Sequence, residues 1–104
     1  MPNTLVVCPA GDVPSGTIRL AVLPDGRRLA LYNVGGTFYA TDDTCTHEQA
    51  SLAEEGMLEG SLVACGWHFC TFDVTSGAAC SAPCHEPLKT YPVSVVDGMV
   101  RLEY

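Results

Sequence analysis

Two short segments constrain this chain more than any other part of it: Cys45-Thr46-His47 and Cys65-Gly66-Trp67-His68. Each sets one thiol beside one imidazole, and seventeen residues lie between the two segments. Thiolate and imidazole are donors for zinc, copper and iron, so the fold has to bring two hooks together around a metal. Two geometries use this donor set. A single tetrahedral zinc takes all four side chains. The one-residue gap between Cys45 and His47 is tight for chelating one ion, however, and structural zinc sites more often begin with two cysteines. A two-iron cluster suits the spacing better. One iron takes Cys45 and Cys65, the other takes His47 and His68, and each hook directs its two ligands at different metals.

The rest of the chain is punctuated as β structure. Thr17 to Leu23 is apolar and partly alternating, and Pro24-Asp25-Gly26 supplies a turn. Arg28 to Val34 and Thr37 to Thr41 flank Gly35-Gly36, whose positive φ angles suit a tight hairpin. Leu62 to Ala64 and Phe72 to Val74 read as short strands. Tyr91 to Val96 and Met99 to Glu103 flank Asp97-Gly98, a further hairpin signal. The one helical candidate is short and lies within Gln49 to Glu55. About residues 42 to 61 and 65 to 71 read as irregular loops, and these carry the two hooks. The expectation is an all-β, small antiparallel domain with two long loops projecting from it, a single domain over residues 1–104.

Two histidines replacing two cysteines on one iron is the ligation of a Rieske [2Fe–2S] centre. The half-motifs, followed by Phe72-Asp73-Val74 and Ser76-Gly77, resemble the Rieske motif region. Pro87-Leu88-Lys89-Thr90-Tyr91-Pro92-Val93 is similar to the strand that follows it in Rieske ferredoxins of aromatic-ring dioxygenase systems, biphenyl and naphthalene dioxygenases among them. The resemblance is specific over about residues 41 to 93. It implies a Rieske fold, an antiparallel β-sandwich-like base with an inserted cluster-binding subdomain at about residues 43–86. It implies one [2Fe–2S] cluster per chain, held by Cys45, His47, Cys65 and His68, with His47 and His68 at the exposed tip. Four protein ligands leave no open metal position for a substrate. The chain also offers no Ser-His-Asp set and no phosphate-binding glycine loop, so it is expected to carry electrons and to catalyse nothing alone.

The implied role is to shuttle single electrons from a flavin-containing ferredoxin reductase to the terminal oxygenase of a ring-hydroxylating system. A second reading is the small Rieske subunit of an assimilatory nitrite reductase. A third, from another class, is a zinc-binding interaction module. The resemblance also bears on potential, which in these centres follows net charge, hydrogen bonds to sulfur and exposure. High-potential members carry an extra disulfide-linked cysteine in each loop, and a serine and a tyrosine that bond to sulfur. Here Trp67 stands at the second-loop cysteine position, Cys70 at the serine position and Phe72 at the tyrosine position. A phenyl ring donates no hydrogen bond and a thiol donates weakly, so the expected potential is near the low end, about −150 mV. For Cys70 itself the expected role is that of a small buried apolar residue rather than a redox-active thiol.

Charge separates along the chain. The formal net charge is −7. No Lys or Arg lies between Arg28 and Lys89, whereas Asp42, Asp43, Glu48, Glu54, Glu55, Glu59, Asp73 and Glu86 do. Solvated loop charge is the plain explanation. The functional one is a partner, the oxygenase, with a basic docking surface. Nucleic acid is excluded as a partner by the shortage of basic residues. No apolar run is long enough to span a membrane, and the N-terminal Met1-Pro2-Asn3-Thr4 shows no signal-peptide pattern. The expected setting is therefore a cytoplasmic monomer, where six cysteines are more often thiols or metal ligands than disulfides. Cys8 reads as core. Cys80 and Cys84, with His85, read as free thiols and a surface histidine, a local disulfide or a second metal site being the alternatives. Gly56, Gly60, Gly66 and Gly77 are assigned to turns.

Overall fold

A computed structural model of the chain describes residues 3–45, 50–65, 70–80 and 86–104. Within them the order is β1 (Thr4–Pro9), a 3₁₀ turn (Ala10–Asp12), β2 (Ile18–Val22), β3 (Arg28–Val34), β4 (Thr37–Asp42), α1 (Leu52–Glu55), β5 (Met57–Glu59), β6 (Leu62–Cys65), β7 (Cys70–Asp73), β8 (Thr90–Tyr91), β9 (Val93–Val96) and β10 (Met99–Glu103). They form three antiparallel sheets, ordered β1-β10-β9, β2-β3-β4-β8 and β5-β6-β7.

The hairpins arise where turn chemistry and alternation agree. Leu23 donates its N–H to Arg27 around the Pro24-Asp25-Gly26 turn. Gly35 and Gly36 both have positive φ, at 60° and 96°, as a two-residue turn with both central residues left-handed requires. Asp97 and Gly98 repeat that arrangement at 52° and 76° between β9 and β10. The Tyr91 to Val96 run is one stretch of sequence but two strands. Pro92 has no N–H to donate, and here the chain leaves the β4 edge of one sheet and joins β10 in another.

β3 explains the layering. Its residues are buried on both faces: Leu29 and Leu31 with Cys8, Val13, Leu23, Val100 and Leu102, Ala30 and Tyr32 with Leu52, Val63, Phe72, Val74 and Leu88. Alternate residues point to opposite faces, so the central sheet has one core on each side. The first core lies against the terminal sheet and completes the sandwich-like base. The second lies under the lobe made by α1 and β5-β6-β7. The fold is all-β with an inserted lobe, as expected. The stretch after Asp42 holds the expected short helix, α1, and also β5, a strand too short for its alternation to show. The 3₁₀ turn also had no sequence counterpart.

Candidate metal centre

The first hook leaves the base through Asp43, whose side chain is 1% exposed. Its backbone N–H donates to the Arg28 carbonyl at 3.1 Å, and its carbonyl accepts from Leu52 N–H at 2.8 Å. Its carboxylate accepts from Ala53 N–H at 2.8 Å and faces Arg28 Nε at 3.5 Å. Arg28 continues through Nη2 to Glu54 at 3.0 Å. One carboxylate thereby ties β3 to the start of α1. Ser51 caps that helix by accepting from Glu54 N–H, and Thr44 bridges Ser51. Cys45 N–H then donates to Ala50 at 3.0 Å, so the chain returns beside the cysteine.

The second hook is the β6-β7 hairpin. Cys65 pairs with Cys70 in register, and Val63 with Phe72. By alternation these four side chains share the inner face, and all are buried. The return path after β7 is fastened to both layers. Asp73 accepts from the N–H and hydroxyl of Thr75, which holds its carboxyl below the usual carboxylate range. Gly77 has φ 80°, and a Cβ there would meet the Leu88 carbonyl oxygen at 2.1 Å. Leu88 N–H donates to Gly77 at 2.7 Å, and Asp42 N–H donates to Lys89 at 2.9 Å.

Cys45 and Cys65 are in no disulfide and are 2% and 1% exposed, in the one core that also contains Leu52, Val63 and Phe72. His47 and His68, the other two expected ligands, lie outside the described residues, as do Gly66, Trp67, Cys84 and His85. Among the described residues no three metal-ligating side chains converge. The two thiols nevertheless fit the sulfur side of a cluster. They are buried in apolar surroundings, and each precedes its histidine by two or three residues in the sequence. Cys8 is core and Cys80 is an exposed thiol, as expected.

Three readings change. Cys70 is buried but disulfide-bonded rather than a simple apolar filler. Asp43 does not add to a solvated acidic surface, being buried against Arg28. Gly56 serves close approach and not a turn: its φ is ordinary, and a Cβ would sit 2.4 Å from the Leu52 carbonyl oxygen. Sequence reasoning missed Arg28 and Asp43 as supports of the site. The available signal was an arginine opening a strand opposite an acidic pair that closes its neighbour, since Leu29 pairs with Asp42.

Two buried thiols in one core, on a lobe inserted into a β base, fit the class of small β proteins that carry a metal centre. The family model described as Rieske [2Fe-2S] domain matches residues 3–92, and the chain belongs to that family. The ferredoxin component of the p-cumate 2,3-dioxygenase system of Pseudomonas putida is 48% identical over 94 residues, covering 90% of this chain and 80% of that protein. A ferredoxin solved in a complex of reduced oxygenase and oxidised ferredoxin of carbazole 1,9a-dioxygenase superposes with a TM-score of 0.90 at 44% identity, covering 95% of this chain and 91% of that one. A Mycobacterium tuberculosis protein described as an NADH-dependent nitrite reductase small subunit has a TM-score of 0.88 at 17% identity, over 100% of this chain and 96% of that one, and shares the fold. The cofactor of the family is the Rieske [2Fe–2S] cluster.

Proposed function

We propose that this chain is the one-electron carrier of a ring-hydroxylating dioxygenase system, taking electrons from a flavin-containing reductase and delivering them to a terminal oxygenase. What carries the reading is that Cys45 and Cys65, twenty residues apart in sequence, are outside any disulfide and buried in one apolar core, each opening one half-motif. The kinship with ferredoxin components of dioxygenase systems supports it.

Cys45 and Cys65 would hold one iron of the cluster and His47 and His68 the other. When bound, the cluster accepts and returns a single electron, moving between charges of 0 and −1 with neutral imidazoles. The chain's own part is to hold four donors in place, leaving no coordination position for a substrate, and to keep water from the thiolates with Leu52, Val63 and Phe72. It therefore has no catalytic residue. Phe72 offers no hydroxyl to a cluster sulfur, which supports a potential at the low end of the Rieske range. The cluster-binding subdomain corresponds to about residues 43–86.

The purified protein is expected to be brown and to give a rhombic electron paramagnetic resonance signal on reduction. His47→Ala, His68→Ala, Cys45→Ser and Cys65→Ser are each expected to remove the visible absorbance. Colourless wild-type protein, or an imidazole variant with unchanged absorbance, overturns the reading. Stopped-flow delivery of electrons to the oxygenase is expected to slow with ionic strength.

A further inference from the structure

The outer face of the β5-β6-β7 sheet lies opposite the buried thiols, and nothing in the electron-carrier reading uses it. Cross-strand register orders it into two rows. Met57, Ala64 and Thr71 form the first, and Glu59, Leu62 and Asp73 the second. The first row is one residue, about 3.3 Å along the strand, from the Cys65–Cys70 pair. Together they line a shallow depression of about 470 Å³, to which Met57, Glu59, Leu62, Ala64 and Thr71 contribute. Met57 is 70% exposed, the highest value for a large hydrophobic side chain among the described residues, and Leu62 is 41% exposed. Of the other exposed large hydrophobic side chains, Val6, Val22, Val95 and Val96, all belong to strands of the base.

Water exposure of methionine and leucine side by side is unfavourable unless something covers them. The surrounding charge says what does. Glu59 and Asp73 flank Leu62 in the same row, Glu55 leads into β5, and no Lys or Arg occurs between Arg28 and Lys89. An apolar centre with an acidic rim matches a surface with an apolar recess and a basic rim. Methionine suits such a contact because its flexible, polarisable side chain adapts to a shallow recess.

We propose that this face is a docking patch for the terminal oxygenase, with Met57 and Leu62 as its apolar anchors and Glu59 and Asp73 as its charged rim. The proposal rests on the electron-carrier reading and adds where the acceptor sits. It takes hold on the flank of the lobe, one residue along the strands from the Cys65–Cys70 row.

The test compares both half-reactions of the cluster-loaded protein. The Met57→Gln/Leu62→Gln pair removes the apolar anchors without changing charge, and Met57→Lys/Leu62→Lys sets positive charge against a basic rim. Val95→Lys/Val96→Lys is the control, giving the same charge change on β9. With wild type turning over, the patch variants are expected to raise KM for electron delivery to the oxygenase, roughly tenfold for the glutamine pair, as loss of an interface anchor does, and further for the lysine pair. Maximal rate, paramagnetic resonance spectrum, midpoint potential and reduction by the reductase stay as in wild type. The β9 control stays within about threefold of wild type, as surface charge alone would allow. A KM within twofold of wild type overturns the proposal. So does a defect confined to the reductase step, which assigns the face to that partner, or a wild-type dimer that the glutamine pair dissociates. Wild type that delivers no electrons to the oxygenase sinks the carrier reading and this proposal together. Normal wild-type delivery with indifferent patch variants sinks only this one.

Discussion

The two cores on either side of β3 are built differently. The base core, around Leu29, Leu31, Val100 and Leu102, is filled by alternating apolar residues from strands that pair along most of their length. The lobe core, around Leu52, Val63 and Phe72, rests on strands of three or four residues and on single polar anchors: Asp43, Gly77 and the Leu88 amide. A sheet of three such short strands owes its stability to the apolar face it packs against the central sheet. The base is thus stable through repetition, whereas the lobe depends on a few single contacts and, in the proposed reading, on the cluster held by its hooks.

Removing the cluster breaks the symmetry between the cores most. Metal binding to preorganised ligands is linked to folding, so chelation should loosen the lobe and spare the base. Hydrogen exchange is the measurement. The amides of Val63 and Phe72 are expected to exchange roughly a hundredfold faster after iron removal, as a locally opening unit does. Those of Val100 and Leu102 should change little. Equal acceleration in both regions would mean that the two cores open together.

Gly77→Ala should come next. It combines a φ of 80° with a Cβ placed 2.1 Å from the Leu88 carbonyl oxygen, so the return path has to shift. The expected cost is about 3 kcal/mol by denaturant unfolding of the cluster-loaded protein. Gly98→Ala, at φ 76° but with open space around its Cβ, should cost about 1 kcal/mol, the conformational penalty alone. Equal losses would show that the close approach to Leu88 contributes nothing.

The same contrast governs what could be read from the chain. The bounds of β3 and β10 match the expected strands residue for residue, because alternation over several residues and a glycine turn define each. In the lobe the two half-motifs, the strands at Leu62 to Ala64 and Phe72 to Val74 and a short helix within Gln49 to Glu55 were legible, whereas its third strand and its polar anchors were not. β5 is too short to show a period, and Asp43 looked like one more acidic loop residue. Burial of a carboxylate depends on Arg28 and the α1 amides, which pairing across fifteen residues of chain brings to it. The disulfide of Cys70 was invisible for the same reason, since a pairing is a fact of three dimensions.

Asp43→Ala isolates that tertiary contact. It strands the Ala53 N–H and removes the strut to Arg28, and a lost acceptor for a buried donor costs about 1–3 kcal/mol. The ion pair adds little, since Arg28 is 44% exposed. Glu54→Ala, which removes only the exposed arm, should cost less than about 0.5 kcal/mol. If both variants lose the same amount, the buried carboxylate is not what anchors the first hook.

The smallest effect belongs to the base and appears only in alkali. Tyr91 donates its hydroxyl to Asp42 at 2.5 Å, and burial together with that carboxylate pushes its pKa up to about 12. An unfolded tyrosine ionises near pH 10. The folded state therefore favours the protonated phenol, and its contribution is complete below about pH 10 and fades as pH rises toward about 12. Tyr32 is shifted in the same direction, chiefly by burial, and donates to Thr41, whose own hydroxyl donates to the Asp42 carbonyl. Wild type should lose stability across this window through both phenols, and Tyr91→Phe should lose less. If the variant follows the wild-type curve throughout, the Tyr91–Asp42 bond does not contribute to the alkaline loss, and Tyr32 alone accounts for it.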